Sequence, residues 1–461
     1  MYSCRKITDD LVYVGVDDRR LPLFENIFPL DRGVAYNSYL LLDEKTVLMD
    51  CCDQTVAHQF LENVNFALGG RTLDYLLIHH MEPDHCGSIE EIFRRYPKMR
   101  IIANVKSFQM LDQFFSLTLT EEQKLVVKDG EEFSFGKHNF KFLFAPMEHW
   151  PEVMFSYDIT DSILFSADAF GVFGCNNGNI FADEQNYKEK DFLDDARRYY
   201  ANIVGKYGQQ TQAALKKTSA YPIKMICPLH GPIWREDISF IIDKYDLWSC
   251  YVPEEQAVLI LYNSVYGHTE SIINYFAMEL GTRGIRNIRI YDVSKTEVSY
   301  LIAEVFRASH IVLGATTYNN GLFPKMESLL TDMKNLNVQN RKLAIIENGT
   351  WAPQSAKLLK GILEGCVLEM ISQKEVYGYE LIQLLKEKGF HIVAGTMYPL
   401  LQKLEKKSYI QSQLKISPDG PDRKYFSITD EGRIYLNGFW DQWESIATAV
   451  EHIRGGQLDE K

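Results

Sequence analysis

Short runs of apolar residues alternate with amphipathic segments along most of the chain, and many of the runs end in a polar loop. Apolar runs at residues 36–42 and 46–50 flank a short polar turn and predict a β-hairpin, and the pattern recurs between residues 133 and 167. Apolar residues with helical spacing at residues 87–96 and 188–217 predict helices between and after these strands. This order predicts an α/β fold in which helices cover the outside of a β-sandwich.

A loop after one of these strands concentrates side chains that bind metals. Residues 73–78 form an apolar run of strand length, and residues 79–87 follow with the sequence His-His-Met-Glu-Pro-Asp-His-Cys-Gly. Pro83 stiffens this loop, and Gly87 allows the turn into the next helix. The loop can therefore direct alternate side chains towards one point, and its four candidate ligands are His80, Glu82, Asp84 and His85. A polar loop with histidines by chance is the alternative, but the spacing of these features disfavours it.

The spacing His-x-Glu-x-Asp-His resembles the motif His-x-His-x-Asp-His of the metallo-β-lactamase superfamily, and the glutamate at the second position resembles the flavodiiron proteins. The resemblance implies an αββα sandwich over residues 1–253. It also implies three further ligands, each after a strand-like apolar run: His149, Asp168 and His230. Four imidazoles and three carboxylates are too many for one catalytic metal with an open position, and they suit two. Mixed imidazole and carboxylate ligands favour non-haem iron over zinc.

The same resemblance implies how the ligands divide between two irons. His80, Glu82 and His149 would hold one iron, Asp84, His85 and His230 would hold the other, and Asp168 would bridge them. Two metals about 3.5–4 Å apart can hold both ends of a small diatomic molecule. A zinc-dependent hydrolase of the wider superfamily is the alternative enzyme, and the glutamate in place of a histidine is the feature against it.

A second domain is predicted at residues 254–361. It opens with a fully apolar strand at residues 257–262, followed by a loop rich in hydroxyl groups and by a helix whose N-terminus can bind a phosphate. The loop resembles the phosphate loop of flavodoxins. Two further strand-to-loop transitions, at residues 311–321 and 343–352, support a doubly wound parallel sheet with ligands at the carboxyl ends of its strands. The fifth strand of the flavodoxin fold is missing from the sequence.

The flavodoxin resemblance implies FMN as the cofactor of this domain. Tyr318 and Trp351 are expected to flank the isoalloxazine ring, and a core position is the alternative for either aromatic side chain. The expected FMN-binding residues are Ser264, Val265, Tyr266, Gly267, His268, Thr269, Thr316, Thr317, Tyr318, Asn319, Asn320, Gly321, Asn348, Gly349, Thr350 and Trp351.

The last domain, residues 362–461, resembles a PadR-like winged-helix regulator, which is mostly α-helical. The segments that carry this resemblance are 376–381, 395–405, 420–426 and 429–432. The resemblance implies a recognition helix at residues 394–407 and a two-stranded wing at residues 410–427. Apolar residues with helical spacing over residues 429–454 predict a dimerisation helix.

DNA is the partner that this resemblance implies. Contacts to its phosphates are expected from Lys403, Lys406, Lys407, Arg423 and Lys424, and such contacts position a protein on DNA without specifying a sequence. Basic and acidic residues nearly balance over residues 358–461. A solvated charged face is therefore the alternative for these side chains.

Composition limits the remaining possibilities. A length of 461 residues predicts about three domains. The net charge of −13 argues against bulk attraction to nucleic acid or acidic membranes, and no apolar run reaches membrane-spanning length. Eight cysteines without a Cys-x-x-Cys pair predict reduced thiols in the cytoplasm and no rubredoxin-type iron site.

The sequence thus predicts a cytoplasmic flavodiiron oxidoreductase fused to a PadR-like DNA-binding domain. By resemblance, a rubredoxin-like or other external reductase would pass electrons through FMN to two irons, which reduce O₂ to water, NO to N₂O, or both. Members of this family pair head-to-tail, so a homodimer or homotetramer is expected. The alternative from another class is a transcriptional regulator that senses gas or redox state with little turnover.

Overall fold

The apolar runs of the sequence form strands in the computed structural model, which describes residues 1–348, 367–387, 394–415, 423–437 and 440. The described residues fall into two units. The first comprises residues 1–254, 297–307 and 332–337, and the second comprises residues 255–296, 308–331 and the described part of 338–461. None of the helices in these described ranges is long and apolar enough to cross a membrane.

Two β-sheets dominate the first unit. Its strands are β1 (Arg5–Lys6), β2 (Leu11–Tyr13), β3 (Val16–Asp18), β4 (Leu23–Phe24), β5 (Phe28–Pro29), β6 (Val34–Tyr36), β7 (Tyr39–Leu42), β8 (Thr46–Met49), β9 (Tyr75–Leu77), β10 (Arg100–Ala103), β11 (Lys124–Val126), β12 (Glu132–Ser134), β13 (Asn139–Phe144), β14 (Met154–Asp158), β15 (Ile163–Phe165) and β16 (Met225–Cys227). One sheet has the order β1-β2-β7-β8-β9-β10-β11, and the other has the order β12-β13-β14-β15-β16. The pairs β3-β6 and β4-β5 are separate from both.

Helices connect many of these strands and continue beyond them. Up to residue 337 they are α1 (Ala57–Leu68), α2 (Pro83–Cys86), α3 (Ile89–Arg95), α4 (Val105–Phe114), α5 (Lys190–Tyr199), α6 (Gly208–Thr218), α7 (Ile238–Ser249), α8 (His268–Thr282), α9 (Val298–Arg307) and α10 (Pro324–Asn335). Short 3₁₀ turns span Gln54–Val56, Glu121–Gln123, Ala182–Glu184 and Gly205–Tyr207, and a π-helical turn spans Tyr200–Val204.

The core of the first unit draws on both sheets. Met49 and Leu77 of the seven-stranded sheet share one buried cluster with Phe140, Met154 and Phe165 of the five-stranded sheet. Burial of such a side chain contributes about 1.5–3 kcal/mol. The packed sheets therefore fix the strand ends from which the polar loops emerge.

Two sequence predictions about this unit need correction. The single helix expected at residues 188–217 is α5, the π-helical turn, a 3₁₀ turn and α6. Gly208 lies where a Cβ would come 2.3 Å from the carbonyl oxygen of Ser249, so the break allows a close approach that the helical pattern did not reveal. Pro253 and two adjacent glutamates predict a linker at residues 248–256 from the sequence. The linker is shorter in the structure, because α7 continues to Ser249 and buries the indole ring of Trp248.

A parallel sheet forms the flavodoxin-like part of the second unit. Its strands are β17 (Glu255–Tyr262), β18 (Ile288–Asp292), β19 (Ala308–Tyr318), β20 (Gly321–Leu322) and β21 (Lys342–Asn348). The parallel order is β18-β17-β19-β21, and the short β20 pairs antiparallel with the end of β19. Among the described residues, β21 pairs with β19 alone.

The strand-to-loop transition predicted within residues 311–321 comes late in that range. β19 continues to Tyr318, and Asn319 and Asn320 make a tight turn into β20 with φ angles of 48° and 61°. Asparagine tolerates this left-handed conformation better than most residues. Thr316, Thr317 and Tyr318 are therefore strand residues, not loop residues.

The C-terminal region has the expected winged-helix elements. Helices span Gly378–Glu387 and Ala394–Lys406, and the strands are β22 (Val376–Tyr377), β23 (Ile410–Lys415) and β24 (Arg423–Ile428). The antiparallel order is β22-β24-β23. The wing turn at residues 416–422 and most of the predicted dimerisation helix, residues 429–454, lie outside the described residues.

His138 gives the first unit a pH-dependent contact. Its Nδ1 atom lies 2.7 Å from Asp158 Oδ2, and its Nε2 atom lies 2.9 Å from Asp10 Oδ2. The contact with Asp10 connects the turn before β13 to the turn before β2. Burial lowers the pKa of His138, but the two carboxylates outweigh burial and raise the pKa to about 9. The imidazolium therefore stabilises the fold below the unfolded-state pKa of about 6.5, and this contribution is lost as pH rises through about 9.

We expect His138→Gln to lower the free energy of unfolding of the first unit by about 1 kcal/mol at pH near 6.5, or roughly 2–4 °C in Tm, and to flatten its pH dependence. Thermal denaturation at pH near 6.5 and near 9.5 measures both effects. His58 is exposed on α1, so His58→Gln is the control and should leave the pH dependence unchanged. An equal loss of stability at both pH values in His138→Gln would contradict the ionic contact.

Candidate metal centre

The motif loop leaves β9 and becomes helical within a few residues. His80 and Glu82 precede α2, and Pro83 occupies its first position, where a proline costs no hydrogen bond. Asp84 and His85 follow on this single helical turn. The sequence predicted a loop here. The helical turn places the last two motif residues on a different element from the first two.

The other three predicted ligands come from loops after β13, β15 and β16. His149 has a left-handed backbone conformation with a φ of 59°, which is uncommon for a residue with a side chain. Asp168 follows β15, and His230 lies in the loop after β16. Asn37 anchors that second loop. The Asn37 amide donates to the carbonyl oxygens of Pro228 and Gly231 at 2.8 and 2.7 Å. Each ligand is therefore held by backbone that the sheets position.

The structure brings all seven side chains together in two groups. His80, Glu82, His149 and Asp168 form one group, and Asp84, His85 and His230 form the other. Within the first group, His80 Nε2 lies 2.9 Å from His149 Nε2 and 3.2 Å from Glu82 Oε2. Within the second, His230 Nε2 lies 3.0 Å from His85 Nε2 and 3.2 Å from Asp84 Oδ2.

Asp168 lies between the two groups. Its Oδ2 atom is 3.0 Å from His149 Nε2, and its Oδ1 atom is 3.0 Å from His85 Nε2. One carboxylate thus faces a histidine of each group with a separate oxygen. All seven side chains are at most 8% exposed, so water does not solvate the carboxylates.

Hydrogen bonds on the far side of two rings fix where their protons lie. His80 Nδ1 donates to Glu152 Oε1 at 2.7 Å, and His230 Nδ1 donates to the carbonyl oxygen of Ala35 at 2.8 Å. In a neutral imidazole, a proton on Nδ1 leaves a lone pair on Nε2. Both Nε2 lone pairs point at other nitrogen and carboxylate atoms, an arrangement that is repulsive without a cation between them. The donor set therefore fits bound metal ions.

The charges of the cluster lead to the same conclusion. Burial lowers the pKa of His85, but Asp84 and Asp168 raise it to about 9. Burial would raise the pKa of Asp168, yet the neighbouring imidazoles, His85 first among them, hold it well below its usual range. The imidazoles likewise lower the pKa of Asp84 against the effect of burial, so Asp84 and Asp168 stay ionised and attract positive charge, which metal ions supply in a loaded site.

The nearby thiols do not join the ligand set. Cys86 Sγ donates to the carbonyl oxygen of Met81 at 3.1 Å, and burial raises the pKa values of Cys51, Cys52 and Cys227 well above their usual range. A ligand set made only of nitrogen and oxygen atoms suits non-haem iron, whereas zinc often binds in sulfur-rich sites.

The residues that orient the candidate ligands are not indicated by the sequence pattern. Glu152 Oε1 also accepts from the backbone N–H of Met81 at 2.9 Å, and Asp50 accepts from the N–H of His79 at 2.8 Å. The only sequence signal for Glu152 is its position three residues after His149. Contacts of this kind depend on tertiary packing and leave no spacing rule in the chain.

The predicted FMN loops meet at the carboxyl ends of β17, β19 and β21. Gly267, with a φ of 87°, precedes α8, and its N–H donates to Ser264 Oγ at 3.0 Å. The buried Thr269 hydroxyl accepts from Asn348 Nδ2 at 3.2 Å. Asn263, which was not predicted, donates from Nδ2 to Thr316 Oγ1.

The remaining predicted FMN residues are more exposed or fall outside the described ranges. Tyr266 is 88% exposed and Tyr318 is 44% exposed, which leaves both rings available to a ligand. Gly349, Thr350 and Trp351 lie outside the described residues.

Comparison with known proteins gives two family matches and extended similarity. The family described as ODP family beta lactamase matches residues 34–231, and the transcriptional regulator PadR-like family matches residues 367–438. An uncharacterised protein of Methanocaldococcus jannaschii is 30% identical over 331 residues, which are 71% of this chain and 81% of that protein. The anaerobic nitric oxide reductase flavorubredoxin of Vibrio vulnificus is 29% identical over 356 residues, 75% of this chain and 70% of that protein.

A solved structure agrees with these matches. Rubredoxin oxygen:oxidoreductase from Desulfovibrio gigas superposes with a TM-score of 0.73 at 28% identity, over 78% of this chain and 90% of that chain. A metallo-β-lactamase-like sandwich with a buried His/Glu/Asp cluster, followed by a flavodoxin-like sheet, defines the class. The chain belongs to the flavodiiron proteins and carries a C-terminal PadR-like region, so the predicted family and fold class are confirmed.

Glu152 fixes the proton position and the orientation of His80, so loss of its carboxylate should weaken metal binding. The protein should stay folded. We expect Glu152→Ala to lower iron affinity about 10–100-fold, as measured by competition with a coloured chelator. Glu152→Gln keeps an acceptor oxygen and is the matched variant, which should fall between Glu152→Ala and the wild type. An alanine variant that holds iron as tightly as the wild type would show that His80 needs no orientation.

Proposed function

We propose that the protein is a flavodiiron oxidoreductase that reduces O₂ to water, NO to N₂O, or both. The observation that carries this proposal is the pair of buried ligand groups that share Asp168. Reduction of O₂ to two waters consumes four electrons and four protons, and conversion of two NO to N₂O and water consumes two of each. Both reactions need a centre that exchanges more than one electron, as two adjacent metals can.

The proposed ligand assignment follows the two groups. His80, Glu82 and His149 would hold one iron, Asp84, His85 and His230 would hold the other, and Asp168 would contribute to both. The separate contacts of the two Asp168 oxygens with His149 and His85 support the bridge. When bound, the two irons supply adjacent redox-active positions that can hold both ends of a diatomic substrate.

The protein's own side chains orient the ligands and keep the site dry. Glu152 holds the Nδ1 proton of His80, and the carbonyl oxygen of Ala35 holds that of His230. The ring of Trp150 lies 5.3 Å from that of His80, and the ring of Phe24 lies 5.4 Å from that of His230. Apolar walls of this kind exclude water and protect reactive species from side reactions.

Electrons are proposed to enter through FMN from an external donor. FMN is assigned to residues 264–269, 316–321 and 348–351. The proposed domains are residues 1–253 for the metal centre, 254–361 for FMN and 362–461 for the PadR-like region. The sequence has no Cys-x-x-Cys pair for a rubredoxin-type iron, so a separate rubredoxin-like protein or another reductase is the proposed donor. Rubredoxin stands in the name of the Desulfovibrio gigas relative. A head-to-tail homodimer or homotetramer, in which one chain's FMN serves the other's irons, completes the proposal.

The PadR-like region supports a second function, DNA binding. The proposed recognition helix spans Ala394–Lys406, followed by the two strands of the wing. Two basic wing side chains already have acidic partners: Lys424 Nζ lies 2.8 Å from Glu405 Oε2, and Lys415 pairs with Glu375. DNA phosphates must compete with these carboxylates, so binding through Lys403, Lys406, Lys407, Arg423 and Lys424 is proposed to be weak. A transcriptional regulator that senses gas or redox state, with little turnover, is therefore the alternative to the reductase.

Anaerobic stopped-flow mixing of the reduced protein with O₂ or with NO tests the reductase. Wild-type protein should be reoxidised through its flavin and metal absorbance, and Asp168→Ala should slow the reaction by at least about 100-fold, since both groups lose a ligand. FMN content should stay unchanged in this variant.

Thr269→Ala is the matched control for the other cofactor. It removes the hydroxyl that Asn348 contacts, so FMN occupancy should fall while iron content stays at the wild-type level. An Asp168→Ala variant with full iron and full turnover would contradict the ligand assignment. Stoichiometric zinc in place of iron would favour the hydrolase instead.

DNA binding should be weak and should fall steeply with salt, because phosphate contacts release counterions. We expect the double variant Lys403→Ala/Lys407→Ala to abolish binding of the full chain to duplex DNA at low salt, with reductase turnover unchanged. Fluorescence anisotropy at two salt concentrations measures this. Salt-resistant binding to one operator together with negligible turnover would favour the sensing regulator over the reductase.

A further inference from the structure

A buried arginine joins α5 to two other elements of the first unit. Arg198 is 2% exposed. Its Nη2 atom donates to the carbonyl oxygen of Pro29, the last residue of β5, at 2.7 Å, and its Nε atom donates to Ser299 Oγ on α9 at 2.9 Å. The guanidinium carbon lies 3.8 Å from the ring centroid of Tyr300. A buried guanidinium is costly unless its donors are paired, so these contacts fix β5 and α9 against α5.

The hairpin of β4 and β5 depends on support of this kind. Phe24 pairs with Phe28 across the hairpin, which is separate from both large sheets. Glu25 and Asn26 at its tip have positive φ angles of 51° and 57°, a conformation that is unfavourable for most side chains. An isolated two-stranded hairpin is only marginally stable in water. Its position is therefore determined by what contacts its base.

Phe24 brings this hairpin to the metal centre. Its side chain is buried, and its ring centroid lies 5.4 Å from that of His230. The Phe24 ring also packs on Phe173, with centroids 5.6 Å apart, and the guanidinium carbon of Arg198 lies 5.0 Å from the same Phe173 ring. A continuous row of contacts thus runs from Arg198 to a predicted ligand of the second metal.

The support at the base includes a second contact from α9. The Tyr300 hydroxyl donates at 2.6 Å to Oδ2 of Asp31, two residues beyond the hairpin. Tyr300 therefore contacts both the guanidinium of Arg198 and the segment that leaves the hairpin.

The neighbouring Arg197 offers a matched comparison. It is also fully buried, and its guanidinium pairs with Asp194 and with Glu254. Lys244 of α7 lies 2.8 Å from the same Glu254. This network joins α5 to α7 and to the segment that follows it. Replacing each arginine in turn therefore separates the loss of a buried charge from the loss of the hairpin's support.

We propose that Arg198 is a positioning residue that holds the β4–β5 hairpin, and with it Phe24, closed against the metal centre. This inference rests on the proposed function, because the hairpin shields the metals that the proposed function requires. Arg198 acts through Phe24 and does not touch the substrate. A closed apolar wall excludes water and protects reactive species from side reactions.

Release of iron to a chelator tests the inference without turnover. The full chain, loaded with iron and FMN and reduced anaerobically, is mixed with the ferrous-iron chelator ferrozine, and formation of the coloured complex is timed. We expect Arg198→Met to raise the release rate about tenfold, because the hairpin opens more often once it loses these hydrogen bonds. Arg198→Lys keeps the charge but not the planar fork, so its rate should be intermediate. It serves in the same comparison if the methionine variant does not fold.

The control is Arg197→Met. It should lower Tm, because it leaves Glu254 with one partner fewer, and its release rate should stay within about twofold of the wild type.

A double-mutant cycle with Phe24 distinguishes positioning from general loosening. Phe24→Ala removes the ring beside His230 and should itself raise the release rate about tenfold. In that background Arg198→Met should change the rate by less than about twofold, because the wall through which it acts is already gone. Hydrogen exchange of residues 22–30, followed by mass spectrometry, should be faster in Arg198→Met and unchanged in Arg197→Met. This second measurement needs no bound metal.

Three results would each overturn the inference. Wild-type iron release and hydrogen exchange in Arg198→Met would show that the hairpin does not need this side chain, while the flavodiiron assignment would stand. Equal acceleration in Arg197→Met would assign the effect to the loss of a buried charge. Additive effects of Arg198→Met and Phe24→Ala would show that the two side chains act independently. A wild-type protein that takes up no iron would contradict the proposed function, and hydrogen exchange would still decide whether Arg198 holds the hairpin.

Discussion

Three carboxylates enclosed in a protein interior are the constraint on which the first unit depends. Glu82, Asp84 and Asp168 are at most 8% exposed, and an ionised carboxylate out of water is costly unless cations face it. Four imidazoles, and the metal ions that the donor set fits, meet this requirement only if the ligand atoms lie within a few ångströms of one another. Loops alone would not hold that geometry. The two packed sheets do, because all the ligand loops start at their strand ends.

The strain in these loops follows from the same constraint. His149 and Ala167 have left-handed φ angles of 59° and 47°, which residues other than glycine rarely adopt. Buried hydrogen bonds stabilise the loops around them: Asn37 holds the loop of His230, and Glu152 holds the backbone of Met81. At His149 and Ala167, the geometry that the site requires, and not local preference, determines the backbone conformation.

The candidate metal ligands and the fold class could be predicted because they leave traces in the chain. His80, Glu82, Asp84 and His85 have a fixed spacing after an apolar run, and the remaining ligands each follow a predicted strand. Glu152 could not be found in this way, since an acidic residue is significant only once packing places it against a ligand. Helix α9 illustrates the same limit. It lies in sequence between two strands of the flavodoxin-like sheet, yet it packs within the first unit, where Arg198 Nε donates to Ser299 Oγ at 2.9 Å.

Among the described residues, β21 is an edge strand of the flavodoxin-like sheet, and it contributes to the proposed FMN site. β19 is buried along most of its length, whereas β21 begins with three exposed residues, and Leu343 is 58% exposed. Among the described residues β21 has one paired edge, and open edges with exposed apolar side chains are prone to unwanted pairing. Asn348, the last residue of β21, is also the side chain that donates to Thr269 at the start of α8. Fraying of this strand would therefore loosen the phosphate loop as well as the sheet. For that reason, whatever covers the second edge of β21 would also affect the proposed FMN site.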